Sequence, residues 1–412
     1  MSNEADIHGL TGHLFRENFG KMVSHLSGKY GYHQIENILD AVQEAFEAAL
    51  TSWKFSGVPE NPFGWLYRVA RNKLVNKLRH LNAEVSLVPE QDYSEEEYSN
   101  RELEDSLFRL LVFFSRTSFS ERNKLIISLY YLCGFGYREI SHALLMKTDA
   151  VKKVVLRSRE TIKTLNDSWY ASPLNPDQAD YDHLLTIVYL LFNEGYKTSG
   201  KNGSIRHELC YEAMRLGRLI LNYRTGEPEI NALMALMFFN TSRFPARTSA
   251  RTWISLEDQD RSLWSRELIA EGHQYLQKAK NNRHHLSRYY LEALISSIHC
   301  LSDSYAQTDW KTLAVLYRRL DARSVTVELN RVVAESHFRP LDELISETEK
   351  LPVTAETAFA FFCTRAYLFS RLKQWDAAIE NYTQALLHTS NRTDRTWLND
   401  KITQATEATG RC

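Results

Sequence analysis

Apolar residues recur at helical spacing along most of this chain, and this periodicity limits its fold more than any other feature. One stretch forms a broad apolar stripe on a single helix face, made of Ile38, Leu39, Val42, Ala45, Phe46, Ala49, Leu50 and Trp53. Strand-like alternation is nearly absent. The 412 residues include only 16 glycines and 9 prolines, the residues that most often interrupt regular structure. The sequence therefore predicts an all-α fold.

The overall composition is that of an ordinary globular protein with several domains. Hydrophobic residues make up 43% of the chain and charged residues 25%, and the net charge is -1. A chain of this length is expected to form two to four domains. A protein that coats DNA by charge alone would be far more basic. Any nucleic-acid surface must therefore be local and balanced by acid elsewhere.

The sequence lacks the patterns of secreted, membrane and catalytic proteins. Its five cysteines are widely spaced without a CxxC pair, which argues against a disulfide framework or a zinc site and for a reducing cytosol. No signal peptide and no apolar run of transmembrane length is found. No phosphate loop, nucleophile elbow or HExxH motif occurs. We expect a cytoplasmic protein that is not an enzyme, with no membrane insertion and no metal, cofactor or catalytic residue.

The segment from Tyr137 to Lys163 predicts two short helices joined by a tight turn. Ile140, Leu144 and Val151 would pack the helices together, and residues 145–148 would form the turn. The second helix carries five cations, namely Lys152, Lys153, Arg157, Arg159 and Lys163. A helix-turn-helix places donors in a DNA major groove in this way. The alternative is a basic amphipathic helix whose charged face is only solvated.

A second basic helix is predicted from Trp65 to Arg79, after a break at residues 57–62. It carries five cations and no acid between its ends. Single-stranded DNA is held by cations along its backbone and by aromatic platforms for its bases. The neighbouring Phe63 and Trp65 could supply such platforms, or they could simply be core residues.

The rest of the chain divides into a linker and further helical blocks. Residues 82–105 are acidic and poorly periodic, which is typical of a linker. A second block follows at 106–165, and a larger helical region begins at about 178. Near its end, four residues have the spacing of a tetratricopeptide helix pair, namely Ala366, Ala378, Tyr382 and Ala385. Farther upstream, Asp258 and Asp260 beside Arg261 are compatible with a ligand site, but a helix start explains them better.

Residues 10–165 resemble a bacterial RNA polymerase sigma factor of the extracytoplasmic-function class, within the sigma-70 family. ENILDAVQEAFEAALTSW followed by PENPFGWLYRVARNKLVNKLR is similar to region two of that class. GFGYREISHALLMKTDAVKKVVLRSRETI is similar to its region four. Five later segments resemble the long tetratricopeptide-like C-terminal extension of one subgroup: FNEGY (192–196), EINALMALMFFNTSR (229–243), LEDQDRSLWSRELIAEG (256–272), TDW (308–310) and LNRVVA (329–334).

The resemblance implies a domain order and a set of partners. Region two would occupy residues 10–81 and region four, the helix-turn-helix, residues 106–165, with the acidic linker 82–105 between them. A larger tetratricopeptide-like helical domain would occupy 178–412. The partners would be core RNA polymerase through its beta-prime and beta subunits, promoter DNA, and a protein regulator at the C-terminal domain. No cofactor is implied.

The resemblance also assigns candidate contact residues. Those for core polymerase are Asp40, Gln43, Glu44 and Glu47. Those for the melted minus-ten element are Phe63, Trp65, Arg68, Arg71, Asn72, Asn76 and Arg79. Those for the minus-thirty-five element are Thr148, Lys152, Lys153, Arg157 and Arg159.

Two other classes of protein fit parts of the sequence. A stand-alone helix-turn-helix regulator with a helical sensor domain would dimerise and read paired half-sites without polymerase. A helical-repeat scaffold would not bind DNA and would tolerate charge removal at Arg68, Arg71, Lys152 and Arg157. Footprinting of duplex DNA by the purified protein separates the first of these from a sigma factor.

Overall fold

The computed structural model describes residues 2–81, 99–144, 146–163, 174–196, 206–249, 252–280, 286–320 and 324–410. Within these ranges, the regular structure is α-helical apart from two 3-10 turns and one antiparallel ladder. The turns are Tyr32–Gln34 and Arg261–Leu263, and the ladder pairs β1 (Thr248–Ser249) with β2 (Thr252–Trp253). The predicted all-α class is confirmed. No helix among the described residues is long and apolar enough to cross a membrane.

The chain forms two compact units, one ending at Leu190 and the other beginning at Leu191. The boundary falls within a helix, α8. The helices up to that point are α1 (Ser2–Tyr30), α2 (Ile35–Ser56), α3 (Pro62–Leu81), α4 (Asn100–Arg116), α5 (Glu121–Tyr131), α6 (Tyr137–Ala143), α7 (Thr148–Lys163) and α8 (Gln178–Tyr196). Both predicted sigma domains therefore lie within the first unit.

Helix α2 buries the apolar stripe predicted for it, and it packs with α1 and α3. The α2 stripe is buried except for the half-buried Leu50. Helix α4 joins this core, because His25 Nδ1 of α1 lies 3.2 Å from Ser106 Oγ of α4. The turn after α5 also approaches α1 closely. A Cβ on Gly20 would lie 2.1 Å from the carbonyl oxygen of Leu132, so only glycine fits there.

The acidic segment ends earlier than predicted. Helix α4 begins at Asn100 with a capping box, in which Glu102 N donates to Ser99 Oγ at 3.2 Å and Ser99 N donates to the Glu102 carboxylate at 3.0 Å. Residues 100–105 are thus helical rather than linker, because their acids occupy a helix N-terminus, where negative charge is favourable. Residues 82–98 and the turn residue Leu145 lie outside the described residues.

The second unit continues with eleven described helices after α8. They are α9 (His207–Tyr223), α10 (Pro228–Ser242), α11 (Phe244–Arg247), α12 (Arg266–Lys278), α13 (Arg288–Leu301), α14 (Trp310–Leu320), α15 (Val325–Glu335), α16 (Leu341–Thr348), α17 (Ala358–Arg371), α18 (Trp375–Leu387) and α19 (Arg392–Ala408). Small residues permit close contacts between them. A Cβ on Gly272 of α12 would lie 2.7 Å from the Phe239 ring of α10.

Helices α17 and α18 pack as the predicted pair. The four residues singled out by their spacing are buried in one cluster with Leu398 of α19; they are Ala366, Ala378, Tyr382 and Ala385. The small side chains allow the helix backbones to approach, and the aromatic ring fills the remaining space. This packing accounts for the spacing, while the tetratricopeptide-like classification stays a prediction.

Candidate nucleic-acid interface

Helix α3 presents a polar and cationic row on the face opposite its buried stripe. The stripe consists of Leu66, Ala70, Leu74 and Leu78. The exposed row consists of Arg68, Asn72, Asn76 and Arg79. These four positions follow one another at intervals of three or four residues, so they share one helix face. The structure thus brings four of the predicted minus-ten residues onto a single surface.

The other three predicted minus-ten residues are engaged in packing. Trp65 is half-buried, with its ring centroid 5.5 Å from that of Trp53. Phe63 is also half-buried, 6.3 Å from the Tyr67 ring. Arg71 Nε donates to Tyr30 Oη of α1 at 3.1 Å. The aromatic contacts favour the core interpretation that the sequence left open, and Arg71 joins α3 to α1.

Phe55 is an exposed aromatic residue that sequence reasoning did not select. It lies in the last turn of α2, and 87% of its surface is exposed. Gly57 follows with φ +76°, a conformation that favours glycine, and ends the helix. The signal was present in the sequence, because Phe55 lies off the stripe that ends at Trp53 and directly before the break at 57–62.

The residues of α2 predicted to contact polymerase divide into two groups. Gln43 and Glu47 are exposed. Glu44 is half-buried and pairs with two lysines of α3, Lys77 Nζ at 2.6 Å and Lys73 Nζ at 3.2 Å. The hydrogen bond from Lys77 lowers the pKa of the Glu44 carboxyl.

Asp40, which is exposed, extends this charge cluster, since Lys77 Nζ lies 3.6 Å from its carboxylate. The lysines on this flank of α3 are therefore neutralised by α2. Arg68 and Arg79 are exposed cations on the polar face of α3.

Helices α6 and α7 form the predicted helix-turn-helix pair. Ile140, Leu144 and Val151 are all buried, as predicted. Thr148 is the first residue of α7, and its Oγ1 lies 3.1 Å from Ser141 Oγ of α6. The half-buried Thr148 hydroxyl therefore contacts the partner helix rather than projecting into solvent.

The cations of α7 do not all share one environment. Lys152, Lys153 and Arg157 are exposed, and the apolar Leu156 beside them is 52% exposed. Arg159 instead turns inward. Its Nη1 lies 3.0 Å from Glu36 Oε1 of α2, and its Nη2 donates to Tyr137 Oη at 3.1 Å. Three of the five predicted minus-thirty-five residues thus form an exposed cationic surface.

The exposed row on α3 and the exposed cations on α7 give this helical protein a local cationic surface on each of two helices. Residues 14–84 match the family described as Sigma-70 region 2. This domain supports a sigma factor of the sigma-70 family. This domain implies interaction with core RNA polymerase and promoter DNA, and no catalytic family is indicated.

The likeness to known proteins extends well beyond region 2. Residues 181–280 match a family of unknown function, DUF6596. The chain is 30% identical over 376 residues to an uncharacterized protein of Rhizobium meliloti (strain 1021), and the alignment covers 88% of each protein. No solved structure matches the chain.

Proposed function

We propose that this protein is a sigma factor of the extracytoplasmic-function class that directs promoter-specific transcription initiation by core RNA polymerase. The observation that carries the proposal is the exposed row Arg68, Asn72, Asn76 and Arg79, which lies within the residues matched to region 2. A second cationic surface at Lys152, Lys153 and Arg157 of α7 supports it.

The row on α3 would hold the melted minus-ten strand. Its two arginines neutralise phosphates, and its asparagines donate to phosphates or to base edges. Phe55 offers an aromatic face on which an unpaired base can stack. Base–aromatic stacking contributes about 1–3 kcal/mol per base. These contacts would offset part of the cost of opening the duplex.

The exposed face of α7 would enter the major groove at the minus-thirty-five element. Lys152, Lys153 and Arg157 supply donors to phosphates and to base acceptors. Leu156 supplies an apolar surface of the kind that contacts a thymine methyl group. Arg159 would contribute by joining α7 to Tyr137 of α6 rather than by contacting a base.

The exposed polar face of α2 would bind the polymerase. Gln43 and Glu47 lie off the buried stripe and outside the lysine pairs that engage Glu44. They suit a polar or basic partner surface, which in this class is provided by the beta-prime subunit. The C-terminal domain would bind a protein regulator or control the activity of the first unit.

The decisive experiment is transcription in vitro with core polymerase and the full-length protein. Transcripts should start at a defined promoter only when the protein is present. A shortened chain ending at Tyr196 tests the C-terminal domain while keeping the bidentate pair between Arg116 and Asp180, whose atoms are 2.7 and 2.9 Å apart. Binding to duplex DNA without polymerase would favour a stand-alone regulator, and failure to join polymerase would contradict the proposal.

A further inference from the structure

Three arginines of the second unit gather around two aromatic rings. Arg243 and Arg247 are buried, at 9% and 8% exposure, and Arg261 is half-buried. The Cζ atom of Arg247 lies 3.7 Å from the Tyr196 ring centroid. Those of Arg243 and Arg261 lie 5.8 and 4.7 Å from the Trp264 ring centroid. We refer to these five residues as the arginine cluster.

The hydrogen bonds of the cluster go to neutral oxygens. Arg243 Nη2 donates to Tyr196 Oη at 2.7 Å and to Asn240 Oδ1 at 2.6 Å. Arg247 Nη1 donates to the Tyr196 carbonyl at 3.2 Å. Among the described residues, none of the three cluster arginines forms an ion pair with a carboxylate.

Arg261 bonds in the same manner. Its Nη1 donates to the carbonyls of His299 and Ser302, at 2.6 and 2.5 Å, at the end of α13. The negative ends of helix dipoles offset part of a positive charge, about half an elementary charge each. Helix ends therefore account for part of the stabilisation of all three arginines, because Arg243 is itself the C-cap residue of α10.

Another part of the same unit shows how this fold neutralises arginines. Glu335 is fully buried and accepts hydrogen bonds from Arg331 at 2.7 Å, from Arg339 at 2.6 Å and from Arg318. Burial by itself would raise the pKa of Glu335, but the bonds from Arg339 and Arg331 lower it. Buried charges are normally paired in this way. The arginine cluster departs from that rule.

The cluster also contains buried donors without an acceptor. Arg243 Nε, Arg261 Nη2 and Trp264 Nε1 are inaccessible to solvent and have no hydrogen-bond acceptor among the described residues. Nearby, burial and then the charges of Arg243 and Arg261 lower the pKa of His299 to about 3, so this ring stays neutral. The cluster thus combines positive charge with donors that lack acceptors. An oxyanion would supply both a negative charge and acceptor oxygens.

Segments far apart in the chain build the cluster. Tyr196 ends the segment 192–196, Arg243 ends the segment 229–243, and Arg261 and Trp264 lie in 256–272. Asp260, which the sequence left open as a ligand-site residue, instead caps the 3-10 turn by accepting from Ser262 N at 2.9 Å.

We propose that the arginine cluster binds a small oxyanion, the carboxylate or phosphate group of a metabolite, and makes the second unit a ligand-responsive module. The forked guanidinium groups match the planar oxygens of such a group. Arg261 is half-buried, so part of this cluster residue is exposed to solvent. This inference does not depend on the sigma-factor activity, and its test uses binding rather than transcription.

The test is thermal unfolding and calorimetric titration of the full-length protein with inorganic phosphate or with citrate, each at constant ionic strength set with sodium chloride. We expect a saturable rise in Tm, because a ligand that binds only the folded state stabilises it. Arg243→Lys keeps the positive charge but loses the planar guanidinium group, and it should weaken anion binding about tenfold. Arg288→Lys is the matched control, since Arg288 is exposed and pairs with Glu292 away from the cluster.

The outcomes separate the two ligand sources. A response to phosphate alone identifies a phosphoryl ligand, and a response to citrate alone identifies a carboxylate ligand. If circular dichroism shows that Arg243→Lys does not fold, the half-buried Arg261→Lys replaces it. A wild-type protein that responds to neither anion beyond chloride, or cluster variants that bind as tightly as the wild type, would overturn the inference.

Discussion

Arg159 of α7 and Glu36 of α2 form an ion pair of 3.0 Å that joins the helix-turn-helix to region 2. The minus-ten and minus-thirty-five elements lie about 25 base pairs apart, on the order of 80 Å along B-DNA at 3.4 Å per base pair. If α3 and α7 bind those two elements, α7 cannot remain on α2 at the same time. We therefore expect the contact between Glu36 and Arg159 to break when the protein engages a promoter.

Substitution of Glu36 tests this relationship. Glu36→Gln should cost less than about 1 kcal/mol of stability, because its carboxylate is 47% exposed. Transcription should increase, since a contact that must break on promoter binding has been weakened. Urea unfolding measures the change in stability, and transcription in vitro measures the change in activity. Arg159→Gln and the double variant complete a double-mutant cycle. Strictly additive stabilities together with unchanged transcription would contradict this expectation.

The exposed cations of α7 should contribute to DNA binding in proportion to their number. Neutralising Lys152 and Arg157 to glutamine should weaken promoter binding by the polymerase complex. Each lost phosphate contact should reduce the salt slope by about one. Arg159→Gln should mainly lower stability instead. Equal effects of Arg157→Gln and Arg159→Gln on the salt slope would refute the distinction.

Two acids on α2 should respond differently to charge reversal. Glu47→Lys should reduce affinity for core polymerase and leave the free energy of unfolding unchanged, because Glu47 is exposed. Glu44→Lys should reduce stability by about 1 kcal/mol as well, since it places a third cation against Lys73 and Lys77. Polymerase binding and urea unfolding are measured for both. A folded Glu47→Lys variant with normal affinity for polymerase would contradict the assignment of this face of α2 to polymerase binding.

Phe55 should affect strand opening without affecting the fold. Its ring is 87% exposed, so Phe55→Ala removes little packing. We expect unchanged Tm and a loss of open complex corresponding to about 1–3 kcal/mol. Permanganate footprinting of unpaired thymines measures the opening, and Phe55→Tyr, which keeps an aromatic face, is the control. Normal opening by Phe55→Ala would rule out a stacking role.

His25 should make the first unit sensitive to acid. Burial, followed by the charge of Lys29, lowers its pKa to about 4 from an ordinary value of 6.5. The unfolded chain therefore binds a proton more readily than the folded one. Stability is fully present above pH 6.5 and falls by about 3 kcal/mol as the pH drops to about 4.

His25→Gln should reduce this dependence of unfolding on pH between 7 and 4. The exposed His80→Gln is the control and should leave the dependence as it is in the wild type. An unchanged slope in His25→Gln would show that other groups cause the acid sensitivity.

Local spacing determined most of the helical fold. The stripes of α2 and α3, the buried contacts of Ile140 and Val151, and the exposure of Lys152 follow from the helical repeat. Periodicity encodes which face of a helix is buried, and this information is contained in a few turns of chain. The start of α4 was also encoded, in the capping box from Ser99 to Glu102, although the acidic composition concealed it.

Only the tertiary structure decided which charges are already paired. Arg157 and Arg159 look alike in the sequence, but α2 brings Glu36 to Arg159 alone. In the same way, Arg71 is bound by Tyr30, 41 residues away. The arginine cluster likewise forms where distant segments meet. A local pattern specifies that a residue is cationic, whereas its partners depend on which segments the packing of the whole chain brings together.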